Sequence, residues 1–181
     1  MKVSSAVKQY IILLVVAKDR PGIVDDVSAF LFERGANIED SRMATMGGRF
    51  SMMILFSAQS AQLETIKRDL DELERLGFEV SMHEAEDPTV IPRHKAELPL
   101  KIEIMSMDHP GIVQKVVHVL HQNNVNIQSL NTQVTQAPLS GAPLFDLTLE
   151  AGVPAEESIV KVKEQLTELA VEMDLDLSFK K

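Results

Sequence analysis

The chain has 181 residues, 45% of them apolar and 25% charged, with no cysteine and a formal net charge of −9. That length fits one domain or two small ones, and the composition is that of a globular protein. The negative charge repels phosphate backbones, so no direct hold on nucleic acid is expected, and the missing cysteines exclude disulfides, thiolate chemistry and Cys-based zinc sites.

Ile11 to Ala17 follow Lys2 and Lys8 and loosely mimic a signal peptide. The run is too short to cross a bilayer, which takes about 20 residues, and Asp19 and Arg20 stand where small cleavage-site residues belong. A strand accounts for it, as it does for the matching run Leu100 to Ser106 in mid-chain. No targeting or membrane segment is expected, and the absence of cysteine is compatible with a cytoplasmic protein.

The first strand, Gln9 to Ala17, leads into Asp19-Arg20-Pro21-Gly22-Ile23-Val24. This string recurs as Asp108-His109-Pro110-Gly111-Ile112-Val113, and Asn37-Ile38 and Asn126-Ile127 follow the two copies at equal spacing. The repeat divides the chain into two units, residues 1–84 and 98–181, with a charged linker at 85–97. Pro88, Pro92 and Pro99 punctuate the region from Glu84 to Pro99.

Each turn opens a helix near its proline, which suits a first turn because its missing N–H is not needed there. The expected buried stripes are Val24, Val27, Phe30 and Leu31, and Val113, Val116, Val119 and Leu120. Gly35 and Asn124 end the two helices. A strand from Asn37 to Met46 follows, then a two-residue hairpin at Gly47-Gly48 and a third strand from Arg49 to Ser57. In the second copy a longer loop, Ala137 to Pro143, precedes a strand from Leu144.

The second helices carry Leu63, Ile66, Leu70 and Leu73, and Ile159, Val162, Leu166 and Leu169, at identical spacing. Phe78, Val80 and Met82, and Leu175, Leu177 and Phe179, mark the last strands. The fold class is therefore α+β: two ferredoxin-like βαββαβ units, each an antiparallel four-stranded sheet with two helices on one face.

The uncovered sheet faces differ. In the second copy Lys101 and Glu103 alternate with Leu100, Ile102 and Ile104, so one face packs and one is wet. In the first copy the outward positions are Tyr10, Ile12, Leu14, Val16, Met53 and Leu55, nearly all apolar. A contiguous apolar face marks an interface. It is expected to be covered by a second chain or by the other unit, which makes the protein a homo-oligomer on the first alternative.

No catalytic signature is present. Gly47-Gly48 lacks the Lys-Ser/Thr of a phosphate loop, and no serine sits in a nucleophile elbow. His109, His118 and His121 read as exposed helix residues, not metal ligands. No enzyme activity, cofactor or metal is expected.

The repeated turn carries chemistry of another kind. Gly22 and Gly111 allow close approach by a ligand, and the helix N-termini behind them offer free N–H groups to a carboxylate. Asp19 and Asp108 can accept from an ammonium group, and Asn37 and Asn126 can both donate and accept. These groups complement the head of an α-amino acid. A purely structural role is the alternative, with Asp capping the helix and Asn closing the loop.

The element order, the Asp-x-Pro-Gly-Ile-Val turns and the Asn-Ile pairs resemble the ACT domain, a small-molecule regulatory module of amino-acid metabolism. Asn37-Ile38-Glu39-Asp40-Ser41-Arg42, followed by Phe50 and Met52 to Ser57, is similar to the free-standing tandem members, the glycine cleavage system transcriptional repressor family. That resemblance implies an amino-acid-sensing regulator that contacts a transcriptional activator, with glycine or a similar small amino acid such as serine as effector. An interaction module without a ligand is the alternative. The resemblance further implies that the turn of one unit and the Asn of a neighbouring unit hold the ligand: Asp19, Gly22, Asn37, Asp108, Gly111 and Asn126. Some members carry a polar side chain two residues before the turn. Ser106 fills that place in the second copy, and Ala17 stands there in the first.

Overall fold

The computed structural model describes residues 8–90, 97–138 and 140–180. The chain divides into two compact units, Met1–Ile91 and Pro92–Lys181. In the first, the elements are β1 (Lys8–Lys18), α1 (Ile23–Glu33), β2 (Asn37–Met46), β3 (Arg49–Gln59), α2 (Ser60–Asp69), α3 (Asp71–Arg75) and β4 (Glu79–Ala85). In the second they are β5 (Glu97–Met107), α4 (Ile112–Gln122), β6 (Asn126–Gln136), β7 (Pro143–Pro154), α5 (Ile159–Met173) and β8 (Asp176–Lys180). Each sheet is antiparallel, in the orders β2-β3-β1-β4 and β6-β7-β5-β8. These are two ferredoxin-like βαββαβ units. β4 reaches Ala85 and β5 begins at Glu97, so the ends of the stretch from Glu84 to Pro99 are strand. Residues 91–96 of the expected linker lie outside the described residues.

Strand alternation sets each core. Ile11, Leu13, Val15 and Ala17 are buried on one face of β1, and Leu100, Ile102 and Ile104 do the same on β5. Burying a side chain of this size stabilises by roughly 1.5–3 kcal/mol before the cost of ordering it. Leu63, Ile66 and Leu73 close the first core, Val162, Leu166 and Leu169 the second. Leu70 and Ile159 of the expected stripes are only partly buried. The first unit's second helix is broken at Leu70 into α2 and α3.

The first helices begin later than their prolines suggest. Gly22 and Gly111 are the N-caps, in the left-handed region at φ 92° and 101°. This shifts the buried stripe by one residue at its start. Ile23 and Ile112 are buried, whereas Val24 is 42% exposed and Val113 is also exposed. The stripe Ile23, Val27, Phe30, Leu31 then follows helical spacing from the true first residue.

Gly47 and Gly48, at φ 56° and 75°, both take the positive values of a tight hairpin turn matched to strand twist. One further position is shared by chemistry rather than by residue type. Arg34 ends α1 and bonds to the Phe30 carbonyl, Asp69 and Glu72. Asn123 ends α4, is 2% exposed, and donates to the Val119 carbonyl (2.8 Å) and to Gln165 Oε1 (2.6 Å). Each ties the end of its unit's first helix to the second. Asn123→Ala leaves the carbonyl and amide oxygens short of a donor, and should lower stability by about 1–3 kcal/mol in urea unfolding, with the slope unchanged.

Candidate functional site

The strand register decides which expected site residues meet. At one end of the first sheet, Lys18 pairs with Arg49, and the Asp19 N–H donates to the Gly48 carbonyl. The turn of Asp19 and Gly22 is therefore beside the glycine hairpin. Asn37 pairs with Ser57, which pairs with Tyr10. From Tyr10 to Lys18 is roughly 26 Å of extended strand, at about 3.3 Å per residue. Asn37 and the turn thus stand at opposite ends of one sheet. The second unit repeats this, with the Asp108 N–H on the Pro143 carbonyl and Asn126 paired to Gly152, itself opposite Pro99. No single unit brings its own turn and Asn together.

At the turns, the helices lack side-chain caps: neither Gly22 nor Gly111 has one. Asp19 and Asp108 are exposed, and no hydrogen bond or ion pair among the described residues reaches either carboxylate. Capping does not explain them. The two helix ends differ in charge. Asp25 and Asp26 sit in the first turn of α1, with Asp26 held by Arg20 at 2.7 Å, and no acidic residue sits in the first turn of α4. The positive end of α4 is the better seat for an anion.

Ser106 is 8% exposed, on the core side of β5, and its hydroxyl donates to the Met107 carbonyl at 3.1 Å. Ala17, its counterpart, is likewise buried.

The Asn end of the first unit holds a cluster that spacing alone does not reveal. A bulge between Ile38 and Asp40 pushes Glu39 out of the regular pairing. Glu39 Oε1 accepts from Ser57 Oγ (2.6 Å), Lys8 Nζ (2.9 Å) and Asn37 Nδ2 (3.1 Å). Ser57 is 2% exposed, and Lys8, Gly35, Asn37, Ser57, Gln59 and Gln62 line an open groove of about 310 Å³. The Ser57 hydroxyl first, then Lys8 and Asn37, hold the Glu39 carboxyl down at about 2 from its ordinary 4.5. The Glu-Asp pair of Asn-Ile-Glu-Asp was a visible signal, but the bulge that singles out Glu39 was not.

Tyr10, Ile12, Leu14, Val16, Met53 and Leu55 all lie on the sheet face away from the first core, partly or fully exposed. Among the described residues, no group of three or more His, Asp or Glu side chains is placed to hold a metal, and no helix is long and apolar enough to cross a membrane.

Two βαββαβ units with a repeated glycine turn define a tandem ferredoxin-like protein. A family model for the ACT domain matches residues 9–83. An unknown protein from Galdieria sulphuraria superposes with a TM-score of 0.81 at 30% identity, over 96% of this chain and 98% of that one. A UPF0237 protein of Methanocaldococcus jannaschii is 34% identical over 73 residues, 39% of this chain and 81% of its own. The first unit, over residues 9–83, belongs to the ACT domain family, and the second repeats its strand order. The chain is also similar to the glycine cleavage system transcriptional repressor of Escherichia coli K12, 23% identical over 171 residues, covering 92% of this chain and 87% of that protein.

Because its folded value is depressed, Glu39 contributes stability that is complete above pH 4.5 and lost as pH falls through about 2. The stability difference between the wild type and Glu39→Gln should therefore be constant near neutrality and shrink below pH 4.5, as read by chemical unfolding across that range.

Proposed function

We propose that the chain is an amino-acid-responsive regulator that binds a small α-amino acid, glycine or serine, and acts by contact with a protein, a transcriptional activator, rather than with nucleic acid. One observation carries this reading. At both turns a helix starts on a positive-φ glycine with no side-chain cap, beside an aspartate that takes no partner among the described residues. The N–H groups suit a carboxylate, and the aspartate suits a positive charge.

The distance between turn and Asn favours a site completed by a second copy. β2 and β6 are outer strands of their sheets. Antiparallel pairing of two such edges sets the Asn end of one copy beside the turn end of the other. Val24, Phe32 and Ile38 are exposed apolar side chains along that flank in the first unit, next to the small residues Ser28 and Ala29.

Glycine has five heavy atoms. A ceiling of roughly −1.5 kcal/mol per atom gives about −7.5 kcal/mol, so its dissociation constant is no tighter than a few micromolar. Calorimetry should show glycine or serine binding before larger residues. Asp108→Ala and Asn126→Ala should each weaken it about tenfold or more, and Asp19→Ala less, because acidic residues already crowd the first turn of α1. No binding up to tens of millimolar, or binding unchanged in the Asp108 and Asn126 variants, leaves the turn a structural feature.

The apolar face of the first sheet is proposed as the surface that a second copy of the chain covers. Ile12, Met53 and Leu55 floor a trough of about 360 Å³ there, flanked by Asp40, Arg42 and Glu86. The equivalent face of β5 carries Lys101 and Glu103, which pair with Glu150 and Lys180. Leu14→Lys should lower association or solubility in sedimentation, and Glu103→Lys should not. Equal sedimentation of the wild type and Leu14→Lys as monomers removes the face from this role.

A further inference from the structure

Position by position, the Asn ends of the two units share almost no side chains. Lys8, Glu39 and Ser57 of the first unit correspond to Glu97, Gln128 and Gly152 of the second, by register and by the repeat. Both units nevertheless place one carboxylate beside the Asn. In the first it comes from the bulge of the outer strand: Glu39, anchored by Ser57 on β3 and Lys8 on β1. In the second it comes from the central strand. The outer strand is bulged at the same place, between Ile127 and Ser129, but carries Gln128. The Gln128 amide donates to Glu97 Oε2 at 3.3 Å. Glu97 lies across Gly152, the residue paired with Asn126, and a Cβ there would overlap its carboxylate. Gly152 does not have a positive φ. Its lack of a side chain makes room for the acid rather than for an unusual backbone. A carboxylate delivered to the same spot from two different strands is a property of the place, not of a repeated residue.

We propose that Glu39 and Glu97 are the groups that receive the ammonium of the bound amino acid, with Asn37 and Asn126 beside them. The Asn end of one copy then adds a carboxylate for the ammonium to the aspartate at the other copy's turn, whose N–H groups take the ligand carboxylate. This rests on the amino-acid reading above. Three features support it. An ammonium already sits on Glu39: Lys8 Nζ is 2.9 Å from Oε1. Ser57, Lys8 and Asn37 all bond that same oxygen, and no hydrogen bond among the described residues reaches Oε2. The groove lined by Lys8, Asn37 and Ser57 opens at this point. The two sites are not equivalent. In the first unit Lys8 holds the carboxylate as a tethered ammonium that the ligand displaces, and in the second the Gln128 amide donates to it.

Calorimetry on the full chain tests this with glycine and with glycolate, which replaces the ammonium by a hydroxyl. Wild type should prefer glycine at least tenfold. Glu39→Gln/Glu97→Gln should lose tenfold or more for glycine and less than twofold for glycolate. Loss of this selectivity, not of affinity in general, separates recognition from a structural role. Glycine binding within twofold of wild type in the double variant overturns the assignment and leaves the amino-acid reading standing. Equal affinity of the wild type for glycine and glycolate, a result that depends on no variant folding, overturns the assignment and the ammonium recognition in the amino-acid reading together. A wild type that binds no amino acid overturns both.

Discussion

An antiparallel sheet crossed by a helix cannot bring the start of its first helix and the start of its second strand together. The chain leaves β1 at one end, runs back along α1, and enters β2 at the other. Every candidate ligand group in this protein is subject to that geometry. The glycine turns, with their free N–H groups, lie beside the hairpin end. The Asn residues, with their carboxylates, lie a full strand length away. A unit of this fold is therefore bipolar by construction. A ligand smaller than the sheet touches only one pole of each unit, and binding to both poles makes association and recognition the same event.

The two copies show which parts of such a unit are fixed and which are free. The cores match closely, and so do the φ values of Gly22 and Gly111. Polar ties are freer: Arg34 and Asn123 make equivalent links with different groups, one charged and partly exposed, one neutral and buried. A buried neutral amide needs every bond satisfied, and Asn123 has two at short range. The Arg34 guanidinium, mostly buried, has five donors and spreads its bonds over two acids and the Phe30 carbonyl.

Most of the fold was legible because its signals are periodic. Alternation along β1 and β5 and the spacing along α2 and α5 each involve several residues, so one ambiguity does little harm. The helix start was not. Pro21 and Pro110 suit a first turn, but the left-handed glycine after each delays the helix, and the buried position passes from Val24 to Ile23. At the site, Asp19, Gly22, Asn37 and their partners were visible as a repeat. Glu39 and Glu97 were not, since a repeat search rewards identity and these two acids come from unlike positions. Only the bulge register and the bare backbone of Gly152 bring them into correspondence.

The outer strands carry one more consequence. An edge strand offers unpaired N–H and C=O groups to any passing chain, and charges along it discourage that pairing. β2 is guarded in this way by Glu39, Asp40 and Arg42. β6, from Asn126 to Gln136, has no charged residue over its 11 positions and is rich in Asn and Gln. In the second unit's sheet, the bulge after Ile127 is the one interruption in an otherwise regular template. During synthesis the first unit emerges with its edge already protected, and the second presents a strand whose safety depends on what covers it. The same bareness that suits β6 to symmetrical pairing makes its solitary state the stage most open to amyloid-like stacking.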